Sequence, residues 1–313
     1  MDIEGIARQI ERSVPGMRVR AIELEGEGDF CRAYTVNGEW IFRFAWNEEG
    51  SRAIEREMAL LPELRRSVTL RIPEIVHSGR LPETGLAFVG YPRIPAVELT
   101  AERLLAVPPA RQEAAAQELA RFLRELHSFD IETATRAGVV TCGYPFCRTE
   151  EGIVSGPAEV HYRRELEKLL AYPQVDPATG AHCGTLVERL LDKNAPGELA
   201  HSLVHGDLSQ DHVLFDEATN RLSGVIDFTD VVVTTPLLDF VYLLHAYGTD
   251  FLTMLLAHYG VADAGATLAR VRVLHQWYLA MRLLWVLEHD YQPGIAPRLA
   301  ALATARIAEG EPL

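Results

Sequence analysis

Two aspartates in the stretch LVHGDLSQDHVLFDEATNRLSGVIDFTD, Asp207 and Asp227, stand at the edges of apolar runs. A carboxylate tethered to buried chain costs desolvation unless something pairs with it, so the two point to chemistry. Between them Val213–Phe215 and Leu222–Phe228 flank a turn at 217–220, the pattern of a β-hairpin. A hairpin folds back on itself, so residues just before its first strand meet residues just after its second. Asp207, His212 and Asp227 should therefore converge at one end of it. Converging carboxylates with no interleaved arginine repel unless a cation joins them. A hard divalent ion such as Mg²⁺, its shell completed by a polyphosphate, is the simplest partner.

HGDLSQDH followed by VIDFTD resembles the catalytic and metal loops of the aminoglycoside phosphotransferase family, which shares the protein-kinase fold. The wording DLSQDHVLFD…GVIDF…LDF most resembles the branch that phosphorylates the 2''-hydroxyl of aminoglycosides, with the macrolide phosphotransferases next. The likeness is specific over 203–240, weaker over 22–97, and only a helical pattern over 98–200. It implies that Asp207 accepts the proton of the attacking hydroxyl. It implies that Asp227 chelates the metal bridging the phosphates, with His212 where most protein kinases have an asparagine ligand. Imidazole is a poorer Mg²⁺ ligand than a carbonyl oxygen; histidine here is typical of the branch resembled. Asp239 would accept backbone N–H groups of the catalytic loop.

The resemblance also assigns a nucleotide site for ATP or GTP. Gly26 and Gly28 in EGEGDFCRAY lie where backbone N–H groups can approach phosphate. Cys31 stands where the kinase pattern has its third glycine, and an ordinary glycine turn explains the pair equally well. A kinase needs a cation on its third strand. The only lysines are Lys168 and Lys193, both in the second half, so EWIFRF offers Arg43. Its planar fork can hold two phosphate oxygens. Glu57 is its expected partner, with Glu55 the alternative. FVGYPRIP reads as the hinge, backbone groups around Gly90, Tyr91 and Arg93 facing the base edge, and Phe42, Phe88 and Phe228 are pocket walls or plain core. For the acceptor the candidates are Asp211, Asp230, Trp277, Tyr278, Glu288 and Asp290, each open to a structural or surface role.

The elements that must position these groups fall into two kinds. Ile3, Ile6 and Ile10 have helical spacing. From residue 21 to about 97 the signals are short strands, with Asn37-Gly38 a hairpin turn. One helix interrupts them, with Ile54, Met58 and Leu61 on one face. From Thr100 helical periods dominate: Leu119, Phe122, Leu123 and Leu126 share a stripe, and further helices are expected over 159–171, 185–192, 238–259 and 265–290. The expected fold is α+β and two-lobed, a protein-kinase-like arrangement. A strand-rich lobe over 1–95 covers the nucleotide, a hinge lies near 88–96, and a helical lobe over 97–313 carries the loops and the acceptor site.

The 313-residue chain is 48% hydrophobic and 24% charged, an ordinary globular balance. No apolar run looks long enough to span a bilayer. Val271–Leu287 is broken by Arg272, His275, Gln276 and Arg282 and reads as a buried helix. The N-terminus has no apolar core of a signal peptide, so the cytoplasm is expected. Cys31, Cys142, Cys147 and Cys183 match neither a zinc spacing nor a disulfide framework. Net charge is −14; residues 1–95 hold 15 acids against 13 Lys and Arg, leaving 29 against 17 for the rest. That acid excess disfavours nucleic acid and anionic membrane. It serves solubility, or it attracts a cationic ligand. The expected protein is a monomeric kinase that uses Mg²⁺ and a nucleoside triphosphate on a cationic aminoglycoside. A macrolide or small-metabolite kinase and a non-catalytic pseudokinase are the alternatives, and a metal-dependent hydrolase is a further one.

Overall fold

The computed structural model describes residues 3–28, 30–149, 152–153, 156–192 and 194–308; Lys193 lies outside them. The chain opens with helix α1 (Ile3–Ser13), whose Ile6 and Ile10 pack on a five-stranded antiparallel sheet. Strands β1 (Ile22–Glu27), β2 (Cys31–Val36), β3 (Trp40–Ala45), β4 (His77–Arg80) and β5 (Ala87–Pro92) run in the order β1-β2-β3-β5-β4. Asn37 and Gly38 both have positive φ (53° and 72°) and Glu39 N donates to Val36 O at 3.1 Å, the tight turn that Asn-Gly favours.

Helix α2 (Glu48–Leu64) lies behind β3 and β5, started by Asn47, whose side chain accepts from Gly50 N at 2.7 Å. Its buried face runs Ile54, Glu57, Leu61, Leu64, so Met58, expected on that face, is instead 37% exposed. The stripe turns about Glu57 because that carboxylate has a buried cation to meet.

The chain leaves the sheet after Pro92 and enters a second one at β6 (Val97–Glu98). There β6 joins β10 (Val213–Asp216) and β11 (Arg221–Val225) in the order β11-β10-β6. The expected hairpin is thus present with a third strand added. Its second strand stops at Val225, leaving Asp227 beyond it. Strand β9 (Ser202–Val204) leads to residues 205–207 and pairs with β12 (Val232–Thr234), which had no clear sequence signal. A 3₁₀ turn at Gln210–His212 joins the loop to β10.

The rest is mainly helical: α3 (Ala101–Ala106), α4 (Pro109–His127), α5 (Ile131–Arg136), α6 (Ala158–Leu170), α7 (Pro177–Leu191), α8 (Leu237–Tyr259), α9 (Ala264–Glu288) and α10 (Gln292–Ala308). A two-strand ribbon, β7 (Arg148–Thr149) and β8 (Gly152–Ile153), precedes α6. Helix α7 begins at Pro177 rather than near residue 185. Asp176 caps it through the N–H groups of Ala178 and Thr179, while Gly180 and Gly184 blur its periodicity. By length and mean hydropathy α8 could cross a membrane, contrary to the expectation that no segment reaches that length. Here Leu237, Phe240, Val241, Leu244 and Leu252 enter the core between α4 and α9, and Gly248 breaks its regular helix.

Candidate active site

Three constraints place Asp207. Strand β9 delivers the chain to Gly206, whose φ is +84° and where an added Cβ would lie 2.2 Å from Asp230 O, so only glycine fits. Asp239, buried at the start of α8, accepts from the N–H groups of His205 and Gly206, both at 3.0 Å. His127 Nε2 stands 3.0 Å from the same carboxylate. Burial alone would raise the Asp239 pKa, but His127 and the Gly206 N–H hold it below the ordinary carboxylate value. His205 Nε2 meets Ile226 O at 2.9 Å and ties this loop to the exit of the hairpin.

Asp207, His212 and Asp227 do converge. His212 Nδ1 lies 2.7 Å from Asp207 O and 3.5 Å from Asp207 Oδ2, while its Nε2 lies 3.8 Å from Asp227 Oδ2. Asp227 has φ +62°, a left-handed conformation costing on the order of 1 kcal/mol in a non-glycine residue. Strain of that kind is characteristic of a positioned functional group.

The expectation that no arginine interleaves is overturned. Arg43, from β3, reaches across: Nη1 donates to Glu57 at 2.8 and 2.9 Å, and Nη2 lies 3.2 Å from Asp227 Oδ1 and bonds Thr229 Oγ1. Arg43 and Glu57 are nearly sealed, with side chains 6% and 1% exposed. Glu55 instead faces solvent and pairs with Arg80, which decides between the two glutamates. Burial would raise the Asp227 pKa, yet Arg43, His212 and Thr229 hold it well below the usual carboxylate range. Asp207 goes the other way, pushed up by burial and by Asp227 against the pull of His212. For His212 burial works downward, but the two aspartates outweigh it and its pKa is raised. One carboxylate is therefore fixed as an anion while its neighbour is more easily protonated, the division of labour between an ion ligand and a proton acceptor.

The cluster is the wall between two cavities. One, of about 420 Å³, lies between the sheets; Ala33, Ile41, Tyr91, Leu214 and Ile226 are among its apolar lining, and its charged lining includes Arg43, His212, Asp227 and Asp211. The other, of about 560 Å³, is bounded by Asp207, Gly206, Asp230, the 145–147 segment and side chains of α8, α9 and α10. A slot with an apolar stretch between Ile41, Tyr91 and Ile226 and with a cation and an anion at its end suits a base and its phosphates. No group of three or more His, Cys, Asp or Glu among the described residues could hold a metal by itself. Asp227 with His212 is a two-ligand set, which fits Mg²⁺ shared with substrate phosphates.

Other expected residues fall unevenly. Gly26 sits at a bulge in the β1–β2 hairpin opposite Ala33, and Gly28 N donates to Cys31 O; neither lines the inter-sheet cavity. Gly90 is not a hinge residue: β5 is paired on both sides there, Gly90 O accepts from Val76 N, and a Cβ would strike the Phe42 ring. Tyr91 and Arg93 do line the cavity, although Arg93 N is bonded to Glu39 O; the wall continues through Ile94, Ala96 and Val97. Phe42, Phe88 and Phe228 are core. Asp211 faces the inter-sheet cavity rather than the second one. Asp230 and Tyr278 line the second cavity. Trp277 does not: it is fully buried and donates from Nε1 to Tyr144 OH at 3.1 Å. Glu288 is drawn to Lys168 at 3.2 Å and Asp290 turns outward to Gln292, so neither reaches that cavity.

Sequence reasoning missed Thr229, which sits beside Asp227 in the quoted motif, and the arginines Arg282 and Arg298. Arg282 follows Tyr278 by one helical turn and donates to its hydroxyl at 2.8 Å, a spacing readable in principle. Arg298 carries no local signal.

Residues 19–274 match the model of the phosphotransferase enzyme family. The GDP and kanamycin complex of APH(2")-IIia is 26% identical, with 97% of this chain and 99% of that one superposed at a TM-score of 0.86. A GDP complex of wild-type aminoglycoside 2'-phosphotransferase-IIIa gives the same identity and score over 99% and 100%. A macrolide 2'-phosphotransferase of type I, 21% identical over 96% of each chain with a TM-score of 0.71, shares the fold. The uncharacterized protein YcbJ of Bacillus subtilis is 24% identical over 71% of this chain and 68% of its own. Viomycin phosphotransferase of Streptomyces vinaceus is 32% identical over 33% of this chain and 36% of its own.

Proposed function

Since the chain belongs to the phosphotransferase enzyme family and has its kinase-like two-lobed fold, we propose that it transfers the γ-phosphoryl of ATP or GTP to a hydroxyl of a small molecule. The observation that carries this reading is the pair of cavities meeting at Asp207, His212 and Asp227. The nucleotide occupies the inter-sheet cavity, base toward Tyr91 and Val97, phosphates toward Arg43. Asp227 and His212 would hold Mg²⁺, which when bound neutralises charge on the β- and γ-phosphates. The acceptor enters from the other side. Asp207 orients its hydroxyl and takes the proton, helped by the raised proton affinity that burial confers. Arg43 neutralises phosphate oxygens while Glu57 and Thr229 hold it in place.

GDP and ADP complexes among the structural relatives support a nucleotide donor. The alternative of an idle binding module sits poorly with an intact Asp207 and Asp227. The acceptor class implied by the resemblance, a kanamycin-like aminoglycoside, is supported by the overall likeness to the kanamycin complex. The charge of the second cavity adds no support, because it balances two acids with two arginines. The test is Mg²⁺-dependent release of ADP or GDP by the purified chain against aminoglycosides, macrolides and hydroxylated metabolites. Transfer to at least one class is expected. Nucleotide binding without turnover across every acceptor would sink the reading.

A further inference from the structure

The acceptor cavity has a charge pattern of its own. Apart from Asp207 its only carboxylate among the described residues is Asp230, and facing them are Arg282 from α9 and Arg298 from α10. Neither arginine has a carboxylate partner among the described residues. Arg282 donates from Nη1 to Tyr278 OH at 2.8 Å and lies 5.6 Å from that ring's centroid. Arg298 donates to Gly294 O at 3.2 Å, and its Nε is buried with no hydrogen-bond partner. A buried guanidinium N–H without an acceptor is costly and rare. Arg298 supplies one such buried donor and Arg282, exposed and held by the Tyr278 hydroxyl, supplies a second cation on the same concavity; together they are the donor set that recognises a carboxylate, sulfonate or phosphate.

The remaining wall is apolar. Tyr278 packs against Phe146 and Tyr242, with ring centroids 5.9 and 5.4 Å apart. Trp285 stands at the mouth, 49% exposed, stacked on His289. Exposed tryptophan beside a concavity offers a flat face to a ligand. A polyammonium sugar would meet two fixed cations and few carboxylates here, an electrostatic mismatch.

Resting on the reading of this cavity as the acceptor site, we propose that the acceptor carries an anionic group, bound by Arg282 and Arg298, on an apolar or aromatic body. The position of Arg282 suits that role. This arginine lines the same cavity as Asp207, so an anion on Arg282 sets a hydroxyl of the same ligand within the cavity that the proton acceptor borders.

The probe that matches this chemistry is 8-anilinonaphthalene-1-sulfonate, with N-phenyl-1-naphthylamine as its uncharged counterpart. Titration of both into the full chain and into Arg282→Gln, Arg298→Gln and Arg282→Lys should separate charge from shape. The sulfonate should weaken by about tenfold or more in each Gln variant, the scale of a hydrogen bond to a charged group. Arg282→Lys should keep most of its affinity, and the neutral probe should bind all four chains alike, which also shows that the cavity is intact. Equal sulfonate affinity in every chain would overturn the proposal. So would efficient kanamycin turnover by the wild-type chain that is unchanged in the Gln variants, because cations facing the acceptor should oppose it. Mg²⁺–nucleotide binding by the wild-type chain is measured in parallel: its absence would refute the kinase reading and leave the anion result to be judged on the probes.

Discussion

The two cavities that meet at Asp207 are built in opposite ways. The inter-sheet one ends in a charged cluster drawn from two short stretches, 205–229 and the β3–α2 pair Arg43 and Glu57. The charges of that cluster lie 2.8 to 3.8 Å from one another. The second cavity takes its wall from 145–147, α8, α9 and α10, and its arginines Arg282 and Arg298 have no carboxylate partner among the described residues. Chemistry common to every phosphoryl transfer is held by a dense, self-neutralising network. On the proposed reading, recognition of a particular acceptor falls to the second cavity and its two arginines.

Substitutions can break or sharpen that contrast. The largest effect should come from Asp207→Asn. It keeps size and the Gly206 turn but removes the proton acceptor, and turnover should fall by about 10² to 10⁴ with nucleotide affinity nearly unchanged. A loss under tenfold in steady-state transfer would remove Asp207 from that role.

Asp239→Ala comes next and acts on the scaffold of the dense side. It strips two backbone N–H groups and His127 of their acceptor, which for a buried ionic network costs about 3–5 kcal/mol. Denaturant unfolding reads it directly. Because the folded pKa of Asp239 is depressed, its stabilisation is present at neutral pH and is lost as pH falls through that folded value. Asp239→Asn should therefore flatten the acid limb of the stability profile. An unchanged limb would contradict the assignment.

Arg43→Ala should weaken nucleotide binding by about 10- to 100-fold, the worth of charged hydrogen bonds, and Arg43→Lys should recover part of the loss. If both were neutral, the phosphates would be held by backbone and metal alone. The smallest effect in this set belongs to Trp277→Phe. It loses the Tyr144 bond and some core volume, costing about 1 to 3 kcal/mol in stability, while the acceptor KM stays put. A KM change there would show that Trp277 reaches the acceptor after all.

What could be read in the sequence follows the same division. Asp207, His212 and Asp227 were legible because a hairpin is a local device: it joins residues twenty positions apart by geometry alone. Arg43 was found by elimination of lysine, yet its contact with Asp227 was not, since that depends on how the first sheet docks on the second. Gly90 misled because its place in a doubly paired strand is a matter of sheet order. Trp277 misled because helix α9 buries most of its circumference, so periodicity does not tell its core side from its cavity side. Arg298 lies on a Gly- and Pro-interrupted helix that carries little sequence signal, and only packing brings it to the site. The acid excess of residues 96–313 is a property of the whole surface and does not fix the charge of one cavity, whose lining holds two acids and two arginines.

In the proposed mechanism Asp227 makes the inter-sheet cavity a metal–nucleotide site while Asp207 serves the other side. Calorimetric titration of a non-hydrolysable GTP or ATP analogue, with and without Mg²⁺, into wild type, Asp227→Ala and Asp207→Asn tests this without knowledge of the acceptor. Mg²⁺-dependent binding should be present in wild type, preserved within a few-fold in Asp207→Asn and abolished in Asp227→Ala, which lacks the carboxylate ligand. Asp227→Ala binding the Mg²⁺–nucleotide complex as tightly as wild type would contradict it.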